Sequence, residues 1–82
     1  MFLTIITLSQ ADNDNEELIE KMWHQTRALR TAGKFKSMPY FEQVPGPAVR
    51  WNREWENREH AEEWIAFVKS ISTPIACEIK EI

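Results

Sequence analysis

The first eight residues of the chain, MFLTIITL, are apolar at both odd and even positions. Successive side chains of a β-strand point to opposite faces, so a strand with one solvent-exposed face alternates between apolar and polar residues. This segment does not alternate. It therefore predicts a strand in the centre of a sheet, covered on both faces.

Length and composition are those of one small globular domain spanning residues 1–82. The chain is 43% hydrophobic and 28% charged, and it holds four Trp and four Phe. Aromatic side chains bury a large area each and can fill a small core. No repeat, linker or low-complexity stretch interrupts the sequence.

Charge and cysteine content narrow the functional classes. The formal net charge is −3, whereas nucleic-acid binding relies on a basic surface. Cys77 is the single cysteine, which excludes an intrachain disulfide and fits a reducing compartment. The opening apolar run is too short to span a bilayer, and no basic residues precede it. We expect a soluble cytoplasmic protein without membrane contact.

Two segments have helical periodicity. The first, EELIEKMWHQTRALRTAG, repeats apolar residues from Leu18 to Leu29 and ends at Gly33. Asn13 with Glu16, or Asp14 with Glu17, has the spacing of a capping box before it. The second, ENREHAEEWIAFVKSISTP, begins after an N-cap at Asn57 and stops before Pro74.

Three further segments have the pattern of strands. KFKSMPYFEQV contains Pro39, which places this strand at a sheet edge because proline cannot donate to the ladder. AVRWNREW follows a turn at residues 45–47. Alternation predicts two faces for this strand: one with Val49, Trp51, Arg53 and Trp55, and the other with Ala48, Arg50, Asn52 and Glu54. A tight hairpin would pair Phe41 with Trp51 and Glu42 with Arg50. IACEIKEI closes the chain, and its charged end suits the opposite edge.

The order βαββαβ predicts an α+β, ferredoxin-like domain. Right-handed crossovers give a four-stranded antiparallel sheet of order 4-1-3-2 with both helices on one face. The other face would carry either Phe2, Ile6 and Leu8 or Met1, Leu3 and Ile5. Leaving such residues exposed is unfavourable, at about 25 cal/mol per Å². We therefore expect a homodimer in which two sheets cover each other.

One local segment adds a resemblance. In REWENREHAEEW the third strand ends at Trp55 and leads through Asn57 into an acidic helix start. With the element order of the whole chain, this resembles the dimeric α+β barrel superfamily, which includes the antibiotic-biosynthesis monooxygenase-like proteins. The resemblance implies a dimeric barrel and a cofactor-independent oxidation of a small organic molecule. Many members carry a histidine one turn into this helix. Here Trp64 takes that place, and His60 lies four residues earlier.

Candidate site residues lie on the third strand and its neighbours. Asn52 and Tyr40 could donate hydrogen bonds to a small carbonyl or phenolate ligand, and Arg50 could neutralise a developing anion. Together with Glu54, a further ligand-binding candidate, these three residues would share the sheet face away from the helices. His60 could act as a base if it faced a cleft. The alternative for the strand residues is an interfacial network in which Arg50 pairs with Glu42 and Asn52 satisfies backbone groups. The alternative for His60 is a solvated first-turn residue.

Other residues favour structural interpretations. Cys77 has no base nearby in sequence and is predicted to be a small buried hydrophobe. The tryptophans are predicted to pack between the sheet and the second helix. No metal-ligand spacing and no phosphate-binding glycine loop occurs, so no cofactor or metal is expected. A basic cluster could bind phosphate or complement the helix dipole; it comprises Arg27, Arg30, Lys34 and Lys36.

Three functional hypotheses follow. The first is a non-catalytic homodimer that binds a small molecule or regulates a partner. The second is a monooxygenase-like enzyme that uses Tyr40, Asn52 and His60. The third is a nucleic-acid module, for which the third strand lacks the Lys/Arg-Gly-aromatic signature and its tryptophans are expected to face the helices.

Overall fold

The computed structural model describes residues 1–35 and 37–82. Its elements are β1 (Phe2–Ser9), α1 (Gln10–Asn13), α2 (Glu16–Thr31), β2 (Tyr40–Val44), β3 (Ala48–Trp55), α3 (Arg58–Ile71) and β4 (Ala76–Glu81). The four strands form one antiparallel sheet of order β2-β3-β1-β4. This is the predicted order read from the other edge, and the α+β, ferredoxin-like class is confirmed. No helix in these ranges combines the length and apolar character needed to cross a membrane.

The β2–β3 hairpin has the predicted register. Phe41 lies opposite Trp51, and Glu42 lies opposite Arg50. Pro39 stands immediately before β2 rather than inside it, so the edge strand is shorter than predicted. Lys36, which the sequence placed in that strand, lies outside the described residues.

Helix capping differs from prediction at the first long helix. The N-cap of α2 is Asn15, whose side-chain oxygen accepts from the backbone N–H of Leu18. The predicted caps at Asn13 and Asp14 are wrong, because residues 10–13 form the extra turn α1, which is capped by Ser9. The N-cap of α3 is Asn57, as predicted, and α3 ends at Ile71, ahead of Pro74.

The core lies between the sheet and the two long helices. From β1 it takes Ile6 and Leu8, which are fully buried. From α2 and α3 it takes residues at helical spacing: Leu18, Met22, Leu29, Ala61, Trp64, Ile65 and Val68. From β3 it takes Val49, Trp51 and Trp55. The even-numbered residues of β1 thus face the helices, which settles the alternative that the sequence left open.

A polar contact is built into this core. Thr4 is fully buried, and its hydroxyl oxygen accepts a hydrogen bond from the indole N–H of Trp55 at 2.9 Å. The same hydroxyl lies 3.4 Å from the carbonyl oxygen of Arg53, to which it donates. The bond satisfies the one polar atom of a fully buried tryptophan, and it fixes the indole against the central strand.

Replacing Thr4 with Val should lower the free energy of unfolding by about 1–3 kcal/mol. The isosteric change leaves the buried Trp55 N–H without an acceptor. Urea denaturation followed by tryptophan fluorescence measures the loss. Thr7→Val is the matched control, since Thr7 lies on the same strand with its side chain on the other face. Equal losses in the two variants would contradict this role for the Thr4–Trp55 bond.

Candidate functional site

The sheet face away from the helices is termed the open face. Its central strand contributes Leu3, Ile5 and Thr7, all half-buried. The registers place the following residues beside them: Tyr40, Glu42 and Val44 of β2, Ala48, Arg50, Asn52 and Glu54 of β3, and Ala76, Glu78 and Lys80 of β4. The structure thus brings Tyr40, Arg50, Asn52 and Glu54 onto one face, as the sequence suggested.

Asn52 is engaged by its neighbours. It is 2% exposed, and its amide nitrogen donates to the carboxylate of Glu42 at 2.9 Å. The same nitrogen also donates to the backbone carbonyl of Tyr40 at 3.4 Å. Both donor hydrogens of the amide therefore have acceptors within the hairpin. This arrangement resembles the interfacial network more than a donor held ready for a ligand.

His60 lies apart from these four residues. It stands in the first turn of α3 and lines a cavity of about 410 Å³ with Gly33, Lys34, Phe35, Glu56 and Asn57. Lys34 is held at this cavity by Glu63, 3.3 Å away. The cavity therefore lies where the α2–β2 connection meets the start of α3. Tyr40 and Asn52 do not line it.

The least expected feature is Arg53, which the sequence placed on the tryptophan-bearing face of the third strand. Its side chain is 1% exposed. The guanidinium carbon lies 4.5 Å from the ring centre of Trp64, 4.8 Å from that of Phe35 and 5.5 Å from that of Trp55. These three rings are termed the aromatic cage. One nitrogen, Nη2, donates to the hydroxyl of Thr26 at 2.9 Å.

The remaining donors of Arg53 are unused. Nε and Nη1 are buried and have no hydrogen-bond partner in the described part of the chain. No carboxylate of residues 1–35 or 37–82 forms an ion pair with the guanidinium. Burial lowers the pKa of Arg53 to about 10, because desolvation disfavours the charged form. The group is still a cation at neutral pH.

Sequence reasoning did not identify Arg53 as a functional residue, although a signal was present. Period-2 alternation put it on the same face as Trp51 and Trp55, and a charged residue in a run of core positions is an anomaly. What the sequence could not supply was the closing of the aromatic cage, since Phe35 and Trp64 come from distant segments.

The other candidates remain ordinary. Cys77 is half-buried on β4, and burial raises the pKa of its thiol while Lys69 opposes that rise. Arg27 and Arg30 are exposed on α2, and the fourth member of the basic cluster, Lys36, is outside the described ranges. Within those ranges no group of three or more His, Cys, Asp and Glu side chains could hold a metal ion.

Comparison of the chain with protein-family models, with curated proteins and with solved structures finds no match. The ferredoxin-like architecture therefore defines the class of fold. The barrel superfamily stays a resemblance in element order and in the segment around Trp55.

Replacing Arg53 with Met should raise the free energy of unfolding by about 1–4 kcal/mol, since buried charged groups are often less stabilising than hydrophobic residues of similar size. Thr26 keeps its bond to the Met22 carbonyl, so the change leaves no unpaired donor there. Urea denaturation measures the gain, and Arg58→Met on the exposed surface of α3 is the control, expected within about 0.5 kcal/mol.

The pH dependence of this gain follows from the lowered pKa. Burial makes protonated Arg53 unfavourable in the folded state, which lowers the free energy of unfolding of the native chain. This loss of stability is fully present below about pH 10 and declines as pH rises above that value. The gain should therefore be equal at about pH 6 and about pH 8.5. A variant less stable than the native chain would show that the caged cation is a net stabilising contact.

Proposed function

We propose that this chain is a small, non-catalytic binding module that acts as a homodimer joined through the open face. The observation that carries the proposal is the uncovered apolar strip of β1. Leu3 and Ile5 belong to the central strand, yet they are only half-buried, because α2 and α3 both pack on the other side. Covering such a strip is favourable in proportion to the area removed from water.

The ends of the strip extend the apolar surface. Met1 is 40% exposed and Ile82 is 59% exposed. The N–H of Ile82 donates to the carbonyl of Met1 at 2.9 Å, so the two residues continue the β1–β4 ladder by one pair. Strand alternation then places both side chains on the same side as Leu3 and Lys80.

The charges around the strip suit a second copy of the same face. Arg50 and Lys80 are basic, and Glu42, Glu54 and Glu78 are acidic. Across a two-fold axis, residues away from the axis face a different residue of the other copy, so opposite charges can meet. Standard interfaces bury about 800 Å² per partner, so an interface of this kind has to extend beyond β1 onto the neighbouring strands.

A second candidate is an enzyme of the monooxygenase-like kind that the sequence resembles. The observation that favours it is the cavity at His60, which provides the cleft a histidine base requires. The internal bonds of Asn52, and the separation of His60 from Tyr40 and Asn52, support the non-catalytic proposal instead. Asn52→Ala and His60→Ala are the diagnostic variants. Any turnover that survives both substitutions does not depend on these residues.

The dimer proposal predicts a doubled mass in light scattering on a sizing column, across a range of concentrations. Ile5→Lys places a charge at the centre of the open face and should give a monomer that keeps its circular dichroism spectrum. In the monomer the new lysine lies opposite Glu78, so the fold can accept it.

Ile75→Lys is the matched control, because Ile75 is 62% exposed but precedes β4 and lies off the open face. This variant should remain dimeric. A native chain that is monomeric at all concentrations would overturn the proposal. So would a dimer that Ile75→Lys breaks and Ile5→Lys leaves intact.

A further inference from the structure

Arg53 has hydrogen-bonding capacity that the fold does not use. A guanidinium carries five N–H donors, and buried donors are nearly always paired. Here Nη2 reaches Thr26, whereas Nε and Nη1 have no acceptor in the part of the chain that the structure describes. Leaving one buried donor unpaired costs about 1–3 kcal/mol, and more when the group is charged.

The aromatic cage stabilises the positive charge of Arg53 through ring faces, but it does not accept hydrogen bonds from the N–H groups. Aromatic faces attract a guanidinium through their quadrupoles, and Trp64, Phe35 and Trp55 lie within the usual distance of about 6 Å. That attraction provides no oxygen in the plane of the N–H groups, where hydrogen-bond acceptors must lie. Residues 1–35 and 37–82 provide no acceptor for Nε or Nη1, and a carboxylate is the acceptor that matches a guanidinium in geometry and charge.

A cavity adjoins the cage. Phe35 belongs both to the aromatic cage and to the lining of the cavity of about 410 Å³ that also includes Lys34 and His60. This volume lies within the range of about 300–1,000 Å³ that is usual for small-molecule sites. Phe35 is thus shared by the cavity lining and by the rings around Arg53.

Phe35 is placed where it can move. It lies in the connection between α2 and β2, outside the ladder of the sheet and outside both helices. The connection begins at Gly33, whose φ of +68° ends the helix in the left-handed region. Rotation of the Phe35 side chain therefore breaks no helical or sheet hydrogen bond.

The charged residues at the cavity determine which kind of anion the site would bind. Lys34, which lines the cavity, is already paired with Glu63. The N-terminus of α3 faces the same region and favours negative charge, but its partial charge is only about half a unit. Of the two cations at this site, Lys34 is paired and Arg53 forms no ion pair within the described residues, so the site suits a singly charged anion better than a doubly charged phosphate.

From these observations we propose that the cavity and Arg53 form a binding site for a small aromatic monocarboxylate. The carboxylate accepts from an unpaired N–H of Arg53, and the ring of the ligand takes the place of Phe35 beside Trp64 and Trp55. The Phe35 side chain rotates away from Arg53 when the ligand binds. The site goes beyond the proposed dimer and does not depend on it, because Arg53 lies on the face opposite the dimer surface.

Sodium benzoate is the first probe, with benzamide as its neutral counterpart and inorganic phosphate as a competing anion class. NMR titration of the native chain should show saturable shifts of the Arg53 Nε–H and of the indole N–H signals with benzoate. Benzamide and phosphate should bind at least tenfold more weakly. Equal affinity for benzamide would overturn the anion site, and tighter binding of phosphate would overturn the carboxylate assignment.

Two substitutions test the role of Arg53. Arg53→Met should weaken benzoate binding at least tenfold as measured by the indole shifts, whereas Arg58→Met, on the exposed face of α3, should leave the affinity within twofold. Undiminished binding by folded Arg53→Met would overturn the proposal. Light scattering on the same samples reports the dimer separately, so loss of one property does not imply loss of the other.

The proposed displacement of the Phe35 ring is tested by Phe35→Ala, which removes the ring shared by the cavity lining and the aromatic cage. Benzoate should bind this variant severalfold more tightly, because the ring no longer has to be displaced. Weaker binding would contradict the displacement of Phe35 and would show that its ring contacts the bound ligand.

Discussion

Strand β1 is paired along both of its edges and carries apolar residues on both of its sides, and the rest of the structure depends on that. The pairing with β3 and β4 places it in the middle of the sheet. Ile6 and Leu8 take up the side covered by the helices, so the core forms there. Leu3 and Ile5 are left on the other side with no helix to cover them. The same strand thus defines the core of one copy and the surface by which we expect two copies to meet.

Arg53 joins parts of the chain that are distant in sequence. Its guanidinium contacts Thr26 of α2, Trp64 of α3 and Phe35 in the connection that leads to β2. In most small domains an apolar side chain fills such a central position, since dispersion contacts and burial then add without a desolvation cost. A cation here contacts the same elements through ring faces and one hydroxyl, and its Nε and Nη1 have no partner among residues 1–35 and 37–82.

The sequence was sufficient for most of the fold because the governing interactions are local or periodic. The alternation in β3 gave its two faces, and the pairing of Phe41 with Trp51 gave the hairpin register. The turn α1 escaped prediction because four residues are too few for a periodic pattern, and its appearance moved the cap of α2 to Asn15. Local propensity thus failed where several capping residues competed within one short stretch, and at the start of β2, which begins after Pro39 rather than before it.

The candidate site was less accessible to sequence reasoning. Tyr40, Arg50, Asn52 and Glu54 were placed on one face correctly, since strand alternation and register decide this. That Asn52 is held by Glu42 depends on side-chain geometry, which no pattern reports. The structure places His60 apart from Tyr40 and Asn52, and the sequence could not show this because the position of His60 depends on how α3 crosses the sheet. The importance of Arg53 emerges only when side chains from three segments surround it.

The small size of the domain gives the buried cation its significance. A chain of this length buries roughly 60% of its unfolded surface, and net stabilities of domains are about 5–15 kcal/mol. A buried charge with two nitrogens that have no hydrogen-bond partner in the described residues takes a substantial fraction of that margin. The aromatic cage recovers part of it through cation–π attraction, but it cannot satisfy the donors in the guanidinium plane. An incoming carboxylate would satisfy them, so ligand binding and fold stability would be coupled at Arg53, on the side of the sheet away from the dimer surface.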